Sequence, residues 1–260
     1  MIKKVPEQKR RLVEPFFKQF DDTMIRTYLE GHMGEAWVDD LDQPTAAQIT
    51  VSVFTFFSGD ARSTAAEALL KNVPEDVLVI VETDEWKQEL ESVHAGHYEK
   101  YSRYRFEQSQ VVLDPKHLKA IIDQLPSAYT LRKIDKAVIE MPSLHHLSPD
   151  FTGNFESAED YLDRGIGYVV IHEDKVVSGA SSFSIYDGGI EIEVGTDEGY
   201  RRQGLAAIVS AALIRDCLYQ NRYPNWDAEN IGSAKLAQSL GYSLKEPYDT
   251  YYVNTHKKAY

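Results

Sequence analysis

Alternating apolar and polar runs divide the first half of the chain into short helices and strands. Residues 8–30 carry apolar side chains at three- and four-residue spacing, which predicts an amphipathic helix. Residues 49–57 (ITVSVFTFF) are rich in β-branched and aromatic residues and predict a strand. Residues 76–82 (DVLVIVE) form a continuous apolar run, as expected for a strand buried on both faces. Residues 60–72 and 84–93 have helical patterns.

A second pattern begins after Pro126. Its predicted strands are 129–134, 167–172, 175–184, 190–196, 224–227 and 248–254, and its predicted helices are 135–140, 157–162, 202–220 and 230–240. We therefore predict an α/β chain of the α+β type, with a mixed central sheet flanked by helices. The predicted domains are an N-terminal α/β domain, 1–112, and a second domain, 113–260. The first half loosely repeats the strand–helix order of the second without repeating its sequence.

The net negative charge of the chain limits the classes of partner that it could bind. Lys and Arg number 28 against 41 Asp and Glu, so the formal net charge is −13. An acidic surface argues against nucleic acids and anionic membranes as partners, because both attract basic proteins. It is compatible with a cationic substrate. With hydrophobic residues at 43%, the chain can bury a core.

Cysteine usage and the N-terminus indicate the compartment. The single cysteine, Cys217, excludes an internal disulfide and favours a reducing environment. Because it lies in an apolar run, we expect a small core residue and not a nucleophile. The N-terminus lacks the apolar segment of a signal peptide, and no stretch approaches the roughly 20 apolar residues of a membrane span. We therefore expect a cytoplasmic protein.

The stretch 190–206 (IEIEVGTDEGYRRQGLA) carries the clearest candidate for ligand chemistry. It predicts a strand, a short turn and the start of the long helix, and the turn has the form R-x-x-G-x-A. The first turn of a helix leaves N–H groups unpaired and has a partial positive charge, so it can bind a phosphate. Gly204 would let the backbone approach a ligand, and Arg201 and Arg202 add positive charge. An ordinary helix start is the alternative.

A second motif lies downstream, and together with the first it indicates a resemblance to a known family. Residues 226–233 have the form W-D-x-x-N-x-x-S and are followed by A-x-x-L-G-Y, which ends at Tyr242. With both motifs, residues 129–260 resemble a GCN5-related N-acetyltransferase (GNAT) domain. The whole chain resembles the GNAT subfamily that includes the zwittermicin A resistance acetyltransferase, through VDDLDQPTAAQ, FFSGDA, SRYRF and ESAEDYLDRGIGYVV. This resemblance implies the GNAT fold, with the first half as a degenerate GNAT-like half.

The resemblance also implies a reaction, in which acetyl-CoA is the co-substrate and an amine accepts the acetyl group. The amides from Arg202 to Ala206 would hold the pyrophosphate, and the preceding strand would pair with pantetheine. The N–H of Val194 would polarise the thioester carbonyl. Asn230 and Ser233 would contact the CoA arm, although both residue types also cap helices. The implied cofactor-binding residues are Ile192, Val194, Thr196, Arg201, Arg202, Gln203, Gly204, Leu205, Ala206, Asn230 and Ser233.

The reaction needs a base because an alkyl amine is mostly protonated at pH 7, with a reference pKa of about 10.4 for lysine. Glu191 and Glu193 alternate with apolar residues in the predicted strand, which puts both carboxylates on one face. Because burying bare carboxylates is costly, they need water, partners or a cavity. We predict Glu193 as the catalytic base and Glu191 as the second candidate; a solvated strand face is the alternative.

One position departs from the family pattern. Many GNAT enzymes have a tyrosine seven residues after the asparagine, where it acts as a general acid on the leaving thiolate. This chain has Ala237 there. Other hydroxyl groups could serve, or could simply pack in the core, and the candidates nearby in sequence are Tyr242, Tyr248, Tyr251 and Tyr252.

Histidine pairs occur twice. His94 and His97 could share a helix face, but no further ligand set accompanies them, so no metal site is predicted. His145 and His146 fall in a predicted loop where the family usually contacts its acceptor, and an ordinary surface loop is the alternative.

The predicted function is direct transfer of an acetyl group to an amine of a small polar molecule in a ternary complex. The predicted partner is that acceptor, with neither nucleic acid nor membrane, and a homodimer is compatible with the sequence. Two alternatives stay open. One is a non-catalytic acyl-CoA-binding or regulatory module, which Ala237 keeps open. The other is a transferase that uses aminoacyl-tRNA, which the net negative charge disfavours.

Overall fold

The chain forms two compact units in a computed structural model that describes residues 1–109 and 113–254. Unit 1 is Met1–Arg103 together with the described residues from Tyr248 onward, and unit 2 is Tyr104–Pro247. The predicted division after residue 112 falls at the edge of the gap, since residues 110–112 lie outside the described residues. The units differ from the predicted domains because the last strand of the chain returns to unit 1.

Unit 1 is a mixed sheet with helices. Strands β2, β3 and β4 form an antiparallel meander, β5 pairs parallel with β4, and β13 pairs antiparallel with β5. Its elements are β1 (Lys3–Lys4), a 3-10 helix (Glu7–Phe16), α1 (Thr23–Leu29), β2 (Glu35–Val38), β3 (Ala46–Val51), β4 (Phe54–Gly59), α2 (Ala66–Leu70), β5 (Val77–Ile80), α3 (Asp84–Val93), β6 (Tyr98–Phe106, which continues into unit 2) and the second part of β13 (Leu244–Val253).

Three predictions for unit 1 are wrong for local reasons. The predicted helix 60–72 is confined to α2, Ala66–Leu70, and follows turns over 60–65. The predicted helix 8–30 is a 3-10 helix followed by α1, because Pro15 interrupts the first segment and Asp22 caps the second by accepting from the amide of Met24 at 2.9 Å. The predicted strand 49–57 is a hairpin of β3 and β4. Its turn includes Ser52 with a φ of 52°, a position where glycine or asparagine is more usual.

Unit 2 contains a five-stranded mixed sheet in the order β11-β10-β9-β8-β7. Only the β10–β11 pair is parallel within this sheet. The elements are α4 (Pro115–Ile122), β7 (Thr130–Lys133), α5 (Lys136–Ile139), α6 (Pro142–Leu147), a 3-10 turn (Pro149–Phe151), α7 (Ala158–Arg164), β8 (Gly167–His172), β9 (Lys175–Tyr186), β10 (Gly189–Thr196), a 3-10 turn (Glu198–Tyr200), α8 (Leu205–Tyr219), β11 (Tyr223–Asn225), β12 (Asp227–Ala228) and α9 (Ile231–Leu240).

Helix α8 is the central helix of unit 2. It is apolar on nearly all sides, as expected for a buried helix, and it contacts strands β8, β9 and β10 as well as α4 and α9. The same core includes Trp226, Ala237 and Tyr242, so the end of β10 is held by a dense apolar cluster. The predicted mixed sheet flanked by helices is confirmed. Among the helices of the described ranges, none is long and apolar enough to cross a membrane.

The two units share one strand pattern. In each, an antiparallel meander of three strands is followed by a helix and then by a strand parallel to the last of the three. These strands are β2, β3, β4 and β5 in unit 1, and β8, β9, β10 and β11 in unit 2. This common pattern supports the predicted GNAT-like character of the first half.

Cys217 is fully buried in α8, as predicted for a core residue. Burial raises the pKa of its thiol to about 12, so the reactive thiolate is scarce near pH 8. We expect Ellman's reagent to leave the folded protein unlabelled and to label one thiol per chain in denaturant. Rapid labelling of the folded protein would contradict the burial of this side chain.

Candidate functional site

The site forms where β10 and β11 separate. The parallel pairing runs from Gly189 opposite Tyr223 to Glu191 opposite Asn225 and then stops. Strand β10 continues to Thr196 with β9 on its other edge. One edge of residues 192–196 therefore has no neighbouring strand within the described part of the sheet, which leaves a slot beside β10.

The direction of the backbone groups in this slot follows from the ladder. Asp197 donates its N–H to the carbonyl of Val177 on β9 at 2.9 Å. In an antiparallel ladder successive residues face opposite edges, so Gly195 also faces β9. The N–H groups of Val194 and Thr196 therefore face the slot, where an extended amide-containing ligand could pair with them.

The turn after β10 leaves open space beside its backbone at Gly204. Gly204 precedes α8 with a φ of +82°, and a Cβ atom placed on it would meet no atom within 4 Å. Arg202 also has a positive φ of 63°, an unusual conformation for a residue with a side chain. Such strain is typical of functional turns. A ligand can approach the backbone closely at Gly204.

The amides of this turn have no hydrogen-bond partners among the residues that the structure describes. Within the described chain, no hydrogen bond takes up the N–H groups of residues 202–207, and the first helical bond of α8 runs from Ile208 to Gly204. Arg201 and Arg202 are exposed beside them. Unpaired amides, the helix dipole and two cations form a cradle suited to a diphosphate.

Polar contacts hold the turn in place from outside. Asp197 accepts from the Lys175 ammonium at 2.6 Å and from the Gly199 amide at 3.0 Å, and these contacts hold the pKa of that carboxyl below its usual value. Gln203 accepts from the Tyr129 hydroxyl at 2.9 Å. Tyr129 also packs on His172, whose ring centroid lies at 4.8 Å. This support is not predictable from the sequence, because residues 129 and 203 are far apart in the chain.

Glu193 lies beside a buried hydroxyl. Ser148, between α6 and the 3-10 turn, donates to its carboxylate at 3.1 Å. Gly195 on the same strand face approaches Phe151, so this face of β10 packs against the segment 147–151. Glu193 is half-buried and Ser148 is buried. A carboxylate that is positioned by a hydroxyl and still reaches solvent can accept a proton.

Glu191 has a different environment. It is buried, and its carboxylate accepts from the side-chain amide of Asn225 at 2.7 Å, across the last paired step of β10 and β11. A buried carboxylate held in this way is suited to fixing the two strands where they begin to separate. Asn225 and Ser148 were not predicted as site residues, because neither belongs to a local motif.

Asn230 and Ser233 both have structural contacts at the start of α9. Asn230 is its N-cap and accepts from the amides of Gly232 at 2.9 Å and Ser233 at 3.0 Å. The Ser233 hydroxyl accepts from the indole of Trp226 at 3.2 Å. The capping alternative is therefore present in the structure for Asn230, and a ligand role for either side chain stays a prediction.

Replacing Asn230 with alanine should separate these roles. Loss of the cap is expected to cost about 1 kcal/mol in the free energy of unfolding, a fall of roughly 2–4 °C in the melting temperature. Asn230→Ser keeps a capping oxygen and is the control. If the serine variant has normal stability but binds the ligand more weakly, Asn230 contacts the ligand as well as the helix. Normal stability of the alanine variant would contradict the capping role.

Ala237, which stands where many GNAT enzymes have a tyrosine, lies in the core of unit 2. Ala237 is fully buried among the apolar residues around α8. Tyr242 is also buried, burial raises the pKa of its hydroxyl above the usual value, and it donates to the carbonyl of Pro224 at 2.5 Å. Tyr251 and Tyr252 donate to Glu91 and Asp76 within unit 1. A general acid for the thiolate is therefore not evident among these described hydroxyls.

His145 and His146 lie on α6 and not in the predicted loop, because Pro142 begins a helix there. His145 bonds the carbonyl of Ile139 at 2.9 Å through its Nε2. Both side chains are exposed.

Comparisons with known proteins agree on one family. The model of a family described as GNAT acetyltransferase matches residues 14–251. The chain is 25% identical over 248 residues to the "Uncharacterized N-acetyltransferase YdfB" of Bacillus subtilis (strain 168), covering 90% of this chain and 92% of that protein. It is 34% identical to a GCN5-related N-acetyltransferase-like protein from Streptococcus suis 89/1591, with a TM-score of 0.87 over 95% of this chain and 99% of the other. A tandem GNAT protein from the clavulanic acid biosynthesis pathway shares the fold alone, with 12% identity, a TM-score of 0.56 and 97% of both chains covered.

Proposed function

Because this chain belongs to the GNAT acetyltransferase family, we propose that it transfers an acetyl group from acetyl-CoA to a primary amine of a small polar molecule. The observation that carries the proposal is the continuity of two features. The slot beside β10 exposes backbone N–H groups, and the same strand leads directly into the turn at Gly204 with its unpaired amides. Together they match the extended amide chain and the diphosphate of coenzyme A.

The backbone would bind and orient this co-substrate. The amides of residues 202–207 and the start of α8 would hold the diphosphate, and Val194 and Thr196 would pair with the pantetheine amides. When bound, acetyl-CoA supplies a thioester. The amine would attack its carbonyl carbon, the C–N bond would form as the C–S bond breaks, and the CoA thiolate would leave and take a proton from solvent. The N–H of Val194 faces the slot, so it can donate to the carbonyl oxygen as negative charge develops there.

Glu193 would remove the proton of the acceptor amine. An ammonium group cannot attack, and a half-buried carboxylate on the strand that borders the slot can take its proton directly or through water. Ser148 positions the carboxylate by its hydrogen bond. Glu191, by contrast, is engaged by Asn225 and supports the strand separation.

The acceptor follows from charge. With 41 acidic against 28 basic residues, the protein attracts cations, which favours a protonated amine and disfavours nucleic acids as partners. We propose a cytoplasmic location, on the single cysteine and its burial.

Calorimetry and a thiol-release assay test this proposal together. We expect acetyl-CoA to bind, and a panel of small amines to include acceptors that release free CoA thiol. Binding without thiol release from any amine would favour a non-catalytic acyl-CoA-binding module. Activity that requires aminoacyl-tRNA in place of acetyl-CoA would favour a transferase that uses aminoacyl-tRNA. Absence of acetyl-CoA binding would overturn the proposal.

A further inference from the structure

Unit 1 contains its own strand separation, and a cavity lies in it. Parallel pairing of β4 and β5 runs from Phe54 opposite Leu78 to Phe56 opposite Ile80. The last residues of β4, Phe57 to Gly59, continue without a β5 partner. A cavity of about 300 Å³ occupies this place, a volume at the lower end of small-molecule sites.

Aromatic rings surround this cavity. Phe57 and Trp86 are buried and stack with ring centroids 5.5 Å apart, so they form its floor. Phe16 and Phe20 are half-buried and form its walls, with Phe20 edge-on to Phe56 at 6.2 Å. Phe57 and Trp86 are 0% and 1% exposed, so the half-buried rings of Phe16 and Phe20 are the ones that a ligand could contact.

Polar groups stand at the mouth. Gln19, Glu82 and Thr83 line the cavity and are exposed, so they lie where it opens to solvent. The Gln19 amide donates to the Ser58 hydroxyl at 3.1 Å, which in turn donates to the carbonyl of Phe16 at 2.5 Å. Glu82 brings a carboxylate, and the first turn of α3 adds Asp84 and Glu85 next to it in sequence.

This cavity differs from the slot of unit 2 in the features that would bind coenzyme A. The indole N–H of Trp86 donates to the carbonyl of Gly59 at 2.9 Å and so occupies the strand edge that a pantetheine chain would need. The loop 60–65 (DARSTA) contains no glycine, and α2 after it has only five residues. A diphosphate cradle is therefore lacking in this described loop.

We propose that the unit 1 cavity binds a small primary ammonium compound with an aromatic or aliphatic body. Aromatic rings attract a cation through their faces and bury an apolar body at the same time. The carboxylate of Glu82 at the mouth pairs with the ammonium by a charge-assisted hydrogen bond. This site is separate from acetyl transfer and does not rest on the proposed function.

Calorimetry with 2-phenylethylamine and its uncharged analogue 2-phenylethanol tests the site on the full chain. We expect the amine to bind and the alcohol to bind at least about tenfold more weakly, since it lacks the charge. Equal binding of both compounds, or no binding of the amine, would overturn the proposal.

Matched variants locate the binding. Glu82→Gln should weaken amine binding about tenfold, whereas Glu85→Gln, an equal loss of charge on an exposed residue that does not line the cavity, should change it less than about twofold. Phe20→Ala should also weaken binding by removing one wall. Melting temperatures of both glutamine variants, measured alongside, separate any change in stability from the change in binding. If the two glutamine variants behave alike, the ligand is not in this cavity.

Discussion

Replacing Gly204 with glutamate is expected to weaken acetyl-CoA binding at least about a hundredfold. The new side chain would enter the open space above the turn, displace the diphosphate from the amides and bring a negative charge against it. Loss of even two hydrogen bonds to a charged group, at about 1.5–3 kcal/mol each, is enough for this effect. Calorimetry with acetyl-CoA measures the change directly.

A second glycine supplies the control. Gly188 has a φ of +81°, almost equal to the +82° of Gly204, and a Cβ atom would likewise meet nothing within 4 Å. Gly188→Glu therefore carries the same backbone strain, about 1–2 kcal/mol, in the turn between β9 and β10. We expect both variants to lose similar stability and only Gly204→Glu to lose acetyl-CoA binding. Equal binding by both variants would show that the turn at Gly204 does not hold the co-substrate.

Replacing Glu193 with glutamine is expected to lower kcat about a hundredfold or more, the usual contribution of a general base. The glutamine carbonyl can still accept from Ser148, so the fold and acetyl-CoA binding should be retained. The parent enzyme should lose activity as the pH falls and the base becomes protonated. This acidic limb should be absent from the variant, whose remaining pH dependence follows deprotonation of the acceptor amine itself. Steady-state kinetics over pH, with calorimetry for binding, give both quantities.

Glu191 distinguishes a base from a structural carboxylate. Glu191→Gln alters the buried contact with Asn225 and should lower the melting temperature more than Glu193→Gln does. Its remaining activity should keep the acidic limb of the pH profile. The assignment of roles is reversed if Glu191→Gln removes that limb and Glu193→Gln leaves kcat unchanged.

Features encoded locally were predictable from the sequence. The helix 84–93 and the strand 167–172 match the structure in full, because apolar periodicity and the Thr83 cap act within one segment. The turn at Gly204 was also predictable, since a strand, a glycine and an apolar helix follow one another directly. The family was predictable because its motifs are short and contiguous, and the match of the family model to residues 14–251 confirms it.

Features that depend on distant residues were not predictable. Ser148 beside Glu193 and Asn225 beside Glu191 come from segments 45 and 34 residues away, and no periodicity connects them. The hairpin at Ser52 was missed because an apolar run without a glycine gives no turn signal. The proposed catalytic contacts therefore depend on the tertiary structure more than the proposed co-substrate turn does.

The return of β13 to unit 1 affects how the protein folds during its synthesis on the ribosome. Tyr251, Tyr252 and Val253 of β13 pair with β5, so this edge of β5 stays unpaired until β13 has been synthesised. Residues 104–247 must be synthesised in between, which takes on the order of ten seconds at roughly 5–20 residues per second. The usual order, in which the N-terminal unit folds first, is thus inverted: unit 2 is continuous and can finish before unit 1, whose open strand edge is exposed to aggregation until β13 has been synthesised.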